Sequence, residues 1–156
     1  MPTKKLMLLL VVFAVLLSVG SACGPGDVEA DLGEEFSLAI GKKAVITGED
    51  LEIRFKEVSE DSRCARDVVC PWEGRVKCLL EITSDGVSEE ITLTQPGLTD
   101  QPAQEFYRGY VFTFNVEPYP EEAEKQIKSS EYRLVLTVTM DEPDDTWAKR
   151  AAVSID

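Results

Sequence analysis

The sequence predicts an all-β fold: an antiparallel β-sandwich, immunoglobulin-like or closed into a small barrel, with one short helix at most. Three observations carry that expectation. From Phe36 onward apolar and polar residues alternate at period two, the spacing that places every second side chain on one face of a half-buried strand. Clusters of Gly, Pro, Asp and Ser separate the alternating runs, as turns require. About seven short strands in ~100 residues is the density of a sandwich or small barrel.

The elements follow in chain order. Phe36, Leu38 and Ile40 share one face, and Gly41-Lys42-Lys43 ends that run. Thr47-Gly48-Glu49-Asp50 is a second turn cluster before Leu51, Ile53 and Phe55, whose opposite face carries Glu52, Arg54 and Lys56. Val76, Cys78, Leu80 and Ile82 form the next apolar face, against Lys77, Glu81 and Thr83. Ser84-Asp85-Gly86 then marks a hairpin leading to Ile91 and Leu93. Gln95-Pro96-Gly97 and Gln101-Pro102 signal a longer loop. Tyr110, Phe112, Phe114 and Val116 make an aromatic strand, and Tyr132, Leu134, Leu136, Val138 and Met140 the last one. Between those two, after Pro118 and Pro120, Glu121–Ser130 is the one segment expected to be helical, for a turn or two. No repeat, low-complexity stretch or second domain interrupts the pattern.

Length and composition set limits on function. The chain has 156 residues, 44% hydrophobic and 29% charged, which fits one folded domain. A domain of this size hides roughly 68% of the surface its unfolded chain exposes, so the fold does not depend on disulfides. Twenty-nine acidic residues against sixteen basic ones give a net charge of −13, unsuited to nucleic-acid binding, which needs a basic surface to displace counterions. The sequence contains no histidine. That excludes Ser–His and Cys–His nucleophile pairs, His-ligated metals and His-based pH switching.

The N-terminus carries an export signal. Lys4 and Lys5 precede fourteen residues, Leu6–Val19, that are apolar except for Ser18. The run is short for a membrane span, which needs about 20 apolar residues, and suits the apolar region of a secretory leader. Gly20, Ser21 and Ala22 then lead to Cys23. This resembles a bacterial lipobox, in which the cysteine receives a diacylglyceryl thioether before cleavage, although Gly20 stands where an aliphatic residue is usual. An ordinary signal peptide or a retained anchor helix is the competing expectation. Residues 1–22 are thus read as a lipoprotein signal peptide and Cys23 as the lipidation site. Removing them takes two lysines away and leaves 134 residues with a formal charge of −15. Two or more acyl chains suffice for stable anchoring. The partner expected at this end is therefore the membrane, reached through the lipid, on the outer face of a membrane of the cell envelope. Residues 23–35, acidic and Gly-rich, are read as a flexible tether; residues 36–140 as the β-domain; and residues 141–156 as an acidic C-terminal extension, with Trp147 available to dock on the core.

Three further cysteines remain. Cys64 and Cys70 lie in Asp61–Gly74 (DSRCARDVVCPWEG), and Cys78 sits on the core-facing side of a strand. Neighbouring thiols oxidise outside the cytoplasm. Cys64–Cys70 is the natural pair, leaving Cys78 as a buried free thiol; Cys70–Cys78 is the alternative. There is no CxxC redox motif, and a Cys₃ metal site is disfavoured by the compartment.

The same loop carries a resemblance. Asp61-Ser62-Arg63-Cys64, Val68, Cys70, Trp72 and Gly74 are similar to a DSRCPxxVxCxWxG signature found in small secreted proteins and lipoproteins of bacteria. Gly109-Tyr110, Pro118-Tyr119-Pro120, Ile127 and Tyr132 extend the likeness over Phe36–Met140. Ala65 replaces the usual Pro, and Pro71-Trp72-Glu73 replaces a Val/Ile-Trp-Ala pattern; neither change removes a chemical group. The resemblance implies a fold and a compartment, and no activity.

The loop is the foremost functional candidate. Arg63, Arg66, Val68 and Trp72 lie within ten residues, and a disulfide-closed loop bearing arginines and an aromatic makes a pre-ordered contact surface. The competing expectation is that Val68, Val69 and Trp72 fold back to plug one end of the β-structure. The function expected is therefore binding of an envelope protein or component, non-catalytic and without cofactor or metal. The alternatives are a hydrolase of envelope polysaccharide using two carboxylates ~5–9 Å apart, and a Ca²⁺-dependent module using Glu121, Glu122, Glu124 or Asp141, Glu142, Asp144 and Asp145. The acidic clusters lack EF-hand spacing and read more simply as solvated surface. Gly41-Lys42-Lys43 is not a phosphate loop, because no GxxxxGK[ST] pattern precedes it.

Overall fold

The computed structural model describes residues 26–97 and 101–141. Nine strands among them form two sheets, and no described segment is helical. In chain order they are β1 (Val28–Ala30), β2 (Glu35–Ala39), β3 (Lys43–Ile46), β4 (Leu51–Asp61), β5 (Arg75–Ser84), β6 (Val87–Pro96), β7 (Ala103–Tyr107), β8 (Tyr110–Glu117) and β9 (Arg133–Met140). One sheet has the order β1-β3-β4-β5-β6, the other β2-β9-β8-β7. All neighbours are antiparallel except β1 and β3. The two sheets bury their inner faces against each other, and the fold is the expected β-sandwich.

The period-two pattern accounts for the core. Leu51, Ile53 and Phe55 of β4 face Val76, Cys78, Leu80 and Ile82 of β5, while Phe112, Phe114 and Val116 of β8 and Leu134, Leu136 and Val138 of β9 cover them from the other sheet; each is essentially inaccessible to solvent. The outer face of the five-stranded sheet is held by ion pairs such as Lys43–Glu52 and Arg54–Glu81.

The two hairpins with two-residue loops, β5–β6 and β7–β8, turn through left-handed residues. Asp85 and Gly86 have φ of 52° and 72°, and Arg108 and Gly109 have 48° and 82°. Two consecutive positive φ values match the twist of the flanking strands. The Ser84-Asp85-Gly86 hairpin is therefore as expected.

Two bulges decide what happens at the far end of β4. The register shifts between Phe55 and Glu57 and again between Val58 and Glu60. Cross-strand partners share a face, so Val58 opposite Cys78 and Asp61 opposite Val76 point inward. Strict alternation would have turned Glu57 inward and Val58 outward. The first bulge puts Glu57 in water and the second restores the original parity, so that Glu60 also stays in water, where it meets Arg75 and Lys77.

Three expectations are corrected. Glu121–Ser130 is not helical; it makes isolated turns, with the Lys125 amide donating to the Glu122 carbonyl at 3.1 Å. Ile127 is its only large apolar residue, so it has no apolar stripe to bury. The stretch read as a tether is folded from Val28: β1 pairs with β3, Ala30 is buried, and the Gly33 amide donates to the Val138 carbonyl at 2.8 Å. The loop between β6 and β8 contains strand β7. The leader, Cys23 and the extension beyond Asp141 lie outside the described residues.

Candidate functional site

Three connections meet at one end of the sandwich: the β4–β5 loop (Ser62–Gly74), the start of the β6–β7 connection at Gly97, and the β8–β9 strap (Pro118–Tyr132). The β4–β5 loop is closed by a disulfide. Cys64 and Cys70 are bonded, with S–S 2.15 Å and Cα atoms 5.9 Å apart. Cys78 is the free, buried cysteine among the described residues. Burial holds its thiol mainly protonated, with the pKa pushed up to about 12; the Arg63 charge opposes this and Asp61 reinforces it.

The loop's base is built on Arg63 and Asp61. The Arg63 side chain is 1% exposed and that of Asp61 11%. Arg63 Nε donates to Asp61 Oδ1 at 2.9 Å and Nη2 to Oδ2 at 2.7 Å, a two-pronged pairing that matches the planar guanidinium to the carboxylate. Nη1 donates to the Val116 carbonyl at 2.7 Å and Nη2 to the Pro118 carbonyl at 3.0 Å. Tyr132 Oη donates to Asp61 Oδ2 at 2.9 Å. Burial, and then the Asp61 charge, raise the Tyr132 pKa well above the usual tyrosine range. Thus Arg63, expected on the contact surface, is withdrawn from it: one guanidinium ties the loop to the end of β8 and to the strap.

A second layer of contacts fixes the rest. Tyr119 lies beneath both arginines, its ring centroid 5.2 Å from Arg63 Cζ and 4.8 Å from Arg66 Cζ, within the range of cation–π attraction. Tyr119 Oη donates to the Gly97 carbonyl at 2.6 Å. Arg66 pairs with Glu121 at 3.1 Å while remaining half-exposed, its amide donates to the Pro120 carbonyl, and Asp67 Oδ1 accepts from the Ala123 amide at 2.9 Å. Gly74 closes the loop where only a glycine fits: φ is +68°, and a Cβ there would stand 2.1 Å from the Ser62 carbonyl oxygen.

What this scaffold presents is apolar. Val69 is 99% exposed, Trp72 61% and Val68 42%. They do not plug the sandwich; Ala65, 7% exposed, is the apolar residue of the loop that packs inward. An open cleft of about 560 Å³ separates the loop from the strap, bounded by Val68, Cys70 and Trp72 on one side and Glu122, Glu124 and Ile127 on the other. Of the four loop residues expected to make contacts, Arg66, Val68 and Trp72 reach the surface. Reading the sequence missed Asp61, Tyr119 and Tyr132 as builders of the site. Their chemistry was visible in Pro118-Tyr119-Pro120 and in Asp61 beside Arg63, but not their convergence.

Among the described residues no three His, Cys, Asp or Glu side chains gather into a group able to hold a metal. The arrangement offers contact area, a cleft and carboxylates. Comparison with protein-family models, with characterised proteins and with solved structures finds no match for this chain.

Proposed function

We propose that this chain is an exported, lipid-anchored β-domain that binds a protein of the cell envelope through the Cys64–Cys70 loop and catalyses no reaction. The observation that carries this reading is the exposure of Val68, Val69 and Trp72 on a loop that is already ordered. Large apolar side chains held out in water in one short stretch mark an interaction surface. The disulfide and the Arg63 contacts order the loop during folding, so little entropy remains to be lost on association. Arg66, Val68 and Trp72 form the contact surface with Val69, and Arg63 serves to position them.

The anchor in this reading is Cys23. Only four residues, Gly24–Asp27, separate it from β1, and an extended chain gains at most ~3.6 Å per residue. The start of β1 would therefore sit within about 18 Å of the lipid attachment, with the acidic surface of the domain repelled by anionic headgroups. The DSRC-type signature is, on this proposal, a recipe for the loop's scaffold. The test is a photocrosslinker in place of Glu73, in the native host, with adducts identified by mass spectrometry. One dominant protein adduct supports the reading; a loop that yields none, and is protected from surface labelling, refutes it. The anchor is tested separately: the mature chain should carry the acyl mass on Cys23, and Cys23→Ala should abolish acylation.

A further inference from the structure

We propose that the cleft between the disulfide loop and the strap receives an extended segment of the partner protein in which an aliphatic side chain stands next to a lysine or arginine. This rests on the reading that the loop is a contact surface, and it specifies the chemistry of what the loop contacts.

The apolar half of the argument comes from the cleft walls. Val68, the disulfide, Trp72 and Ile127 bound it, and buried Ala65 and Tyr132 lie at its base. At about 560 Å³ it has the size of an ordinary ligand cleft. A sugar would stack on Trp72 alone and leave Val68 and Ile127 facing hydroxyls. An aliphatic side chain uses all of these walls.

The charge comes from the rim. Asp61 is neutralised by Arg63 and Glu121 by Arg66. Glu122 and Glu124 line the cleft, Asp67 and Glu73 flank the exposed apolar residues along the chain, and none of these four forms a salt bridge among the described residues. Among the described residues, Lys125 is the one cation besides Arg63 that lines the cleft. A rim with this excess of carboxylate favours a cationic partner and repels an acidic one. The exposed indole of Trp72 adds a face on which an ammonium or guanidinium can rest.

The experiment uses the purified full chain in neutral detergent micelles, with protein-free micelles as the blank. The probes are the blocked pentapeptide Gly-Lys-Leu-Lys-Gly, its glutamate-for-lysine counterpart, and a soluble peptidoglycan fragment. NMR shift changes are read at the Val68 and Ile127 methyls and the Trp72 indole. The lysine peptide is expected to shift all three and the other probes none. The double variant Glu122→Gln/Glu124→Gln, exposed and away from the core, should weaken lysine-peptide binding about five-fold at low salt and flatten its salt dependence. Val68→Ser should weaken it without changing that salt dependence. Equal binding of the glutamate peptide, preference for the peptidoglycan fragment, or indifference to both variants overturns the proposal. If a partner crosslinks at Glu73 while the lysine peptide leaves the cleft signals unmoved, this inference fails and the contact-surface reading stands. If neither binds, both fail.

Discussion

Arg63→Met is the most discriminating substitution in the molecule. It keeps most of the side chain's volume and removes its charge and all its donors. In the native domain those donors make two bonds to Asp61 and one each to the Val116 and Pro118 carbonyls. The variant leaves the Asp61 carboxylate, 11% exposed, without its counter-charge, supported among the described residues by Tyr132 Oη and the backbone amide of position 63. Removing one partner of a buried pair costs about 3–5 kcal/mol. With a urea m-value of about 1.5 kcal/mol/M, the unfolding midpoint should fall by roughly 2–3 M, read by circular dichroism. Asp61→Leu/Arg63→Met removes both charges together, and the pair should be less destabilised than the sum of the single changes. A surface contact residue would behave otherwise, because exposed charges contribute little to stability. A midpoint shift below about 0.5 M for Arg63→Met would refute the assignment of Arg63 to the scaffold and return it to the contact surface.

Three other perturbations test the same architecture. Cys64→Ser/Cys70→Ser should cost about 2 kcal/mol, the chain entropy released by opening so small a loop, and should leave the near-native β-sheet spectrum intact; loss of the fold would show that the disulfide carries more than the loop. Gly74→Ala should lose at least about 2 kcal/mol, because a Cβ would overlap the Ser62 carbonyl and φ is positive, whereas Gly33→Ala meets open space and should cost only about 1 kcal/mol for its left-handed backbone; equal losses in thermal melts would contradict the crowding at Gly74. In alkali, Cys78, raised from 9.0 to about 12, and Tyr132, raised from 10.0, keep their protons longer when folded than when unfolded. The stability they contribute is therefore complete below pH 9 and declines above it, by about 1.4 kcal/mol per pH unit for Cys78 and more once pH 10 is passed. Urea midpoints at pH 8 and pH 10 should show that decline, and Cys78→Ala should remove its first part.

The strands legible in the sequence are those with a full buried face. Leu134, Leu136 and Val138, or Leu51, Ile53 and Phe55, alternate because one side of each strand meets the other sheet. The strands that escaped notice lack that contrast. β7 exposes Gln104, Glu105 and Phe106 in succession, and β1 and β3 are three and four residues long, too short to display a period. Glu121–Ser130 departs from the expected helix for a related reason: with no apolar stripe, no tertiary packing stabilises one. The disulfide was legible because Cys64 and Cys70 are close in sequence and Cys78 has core-facing parity. The role of Arg63 was not. Its acceptors on Val116 and Pro118 lie 53 and 55 residues away, and no local pattern announces a contact of that range.

The division of labour within the loop follows from one requirement. Apolar side chains held in water are stable only if the backbone beneath them has no better place to collapse. Here the collapse is blocked from below. Asp61 points inward opposite Val76, Arg63 is fastened to it and to two carbonyls, and Tyr119 spans from the arginines to Gly97. Gly74 and Gly97 let the neighbouring backbones approach until no side chain would fit between them. The disulfide removes the remaining freedom between Cys64 and Cys70. Val68 and Val69 lie within that ring and Trp72 two residues beyond it, and all three are exposed. Their exposure goes with how the loop is anchored, and Arg63, the residue whose charge first suggests binding, belongs to the anchor.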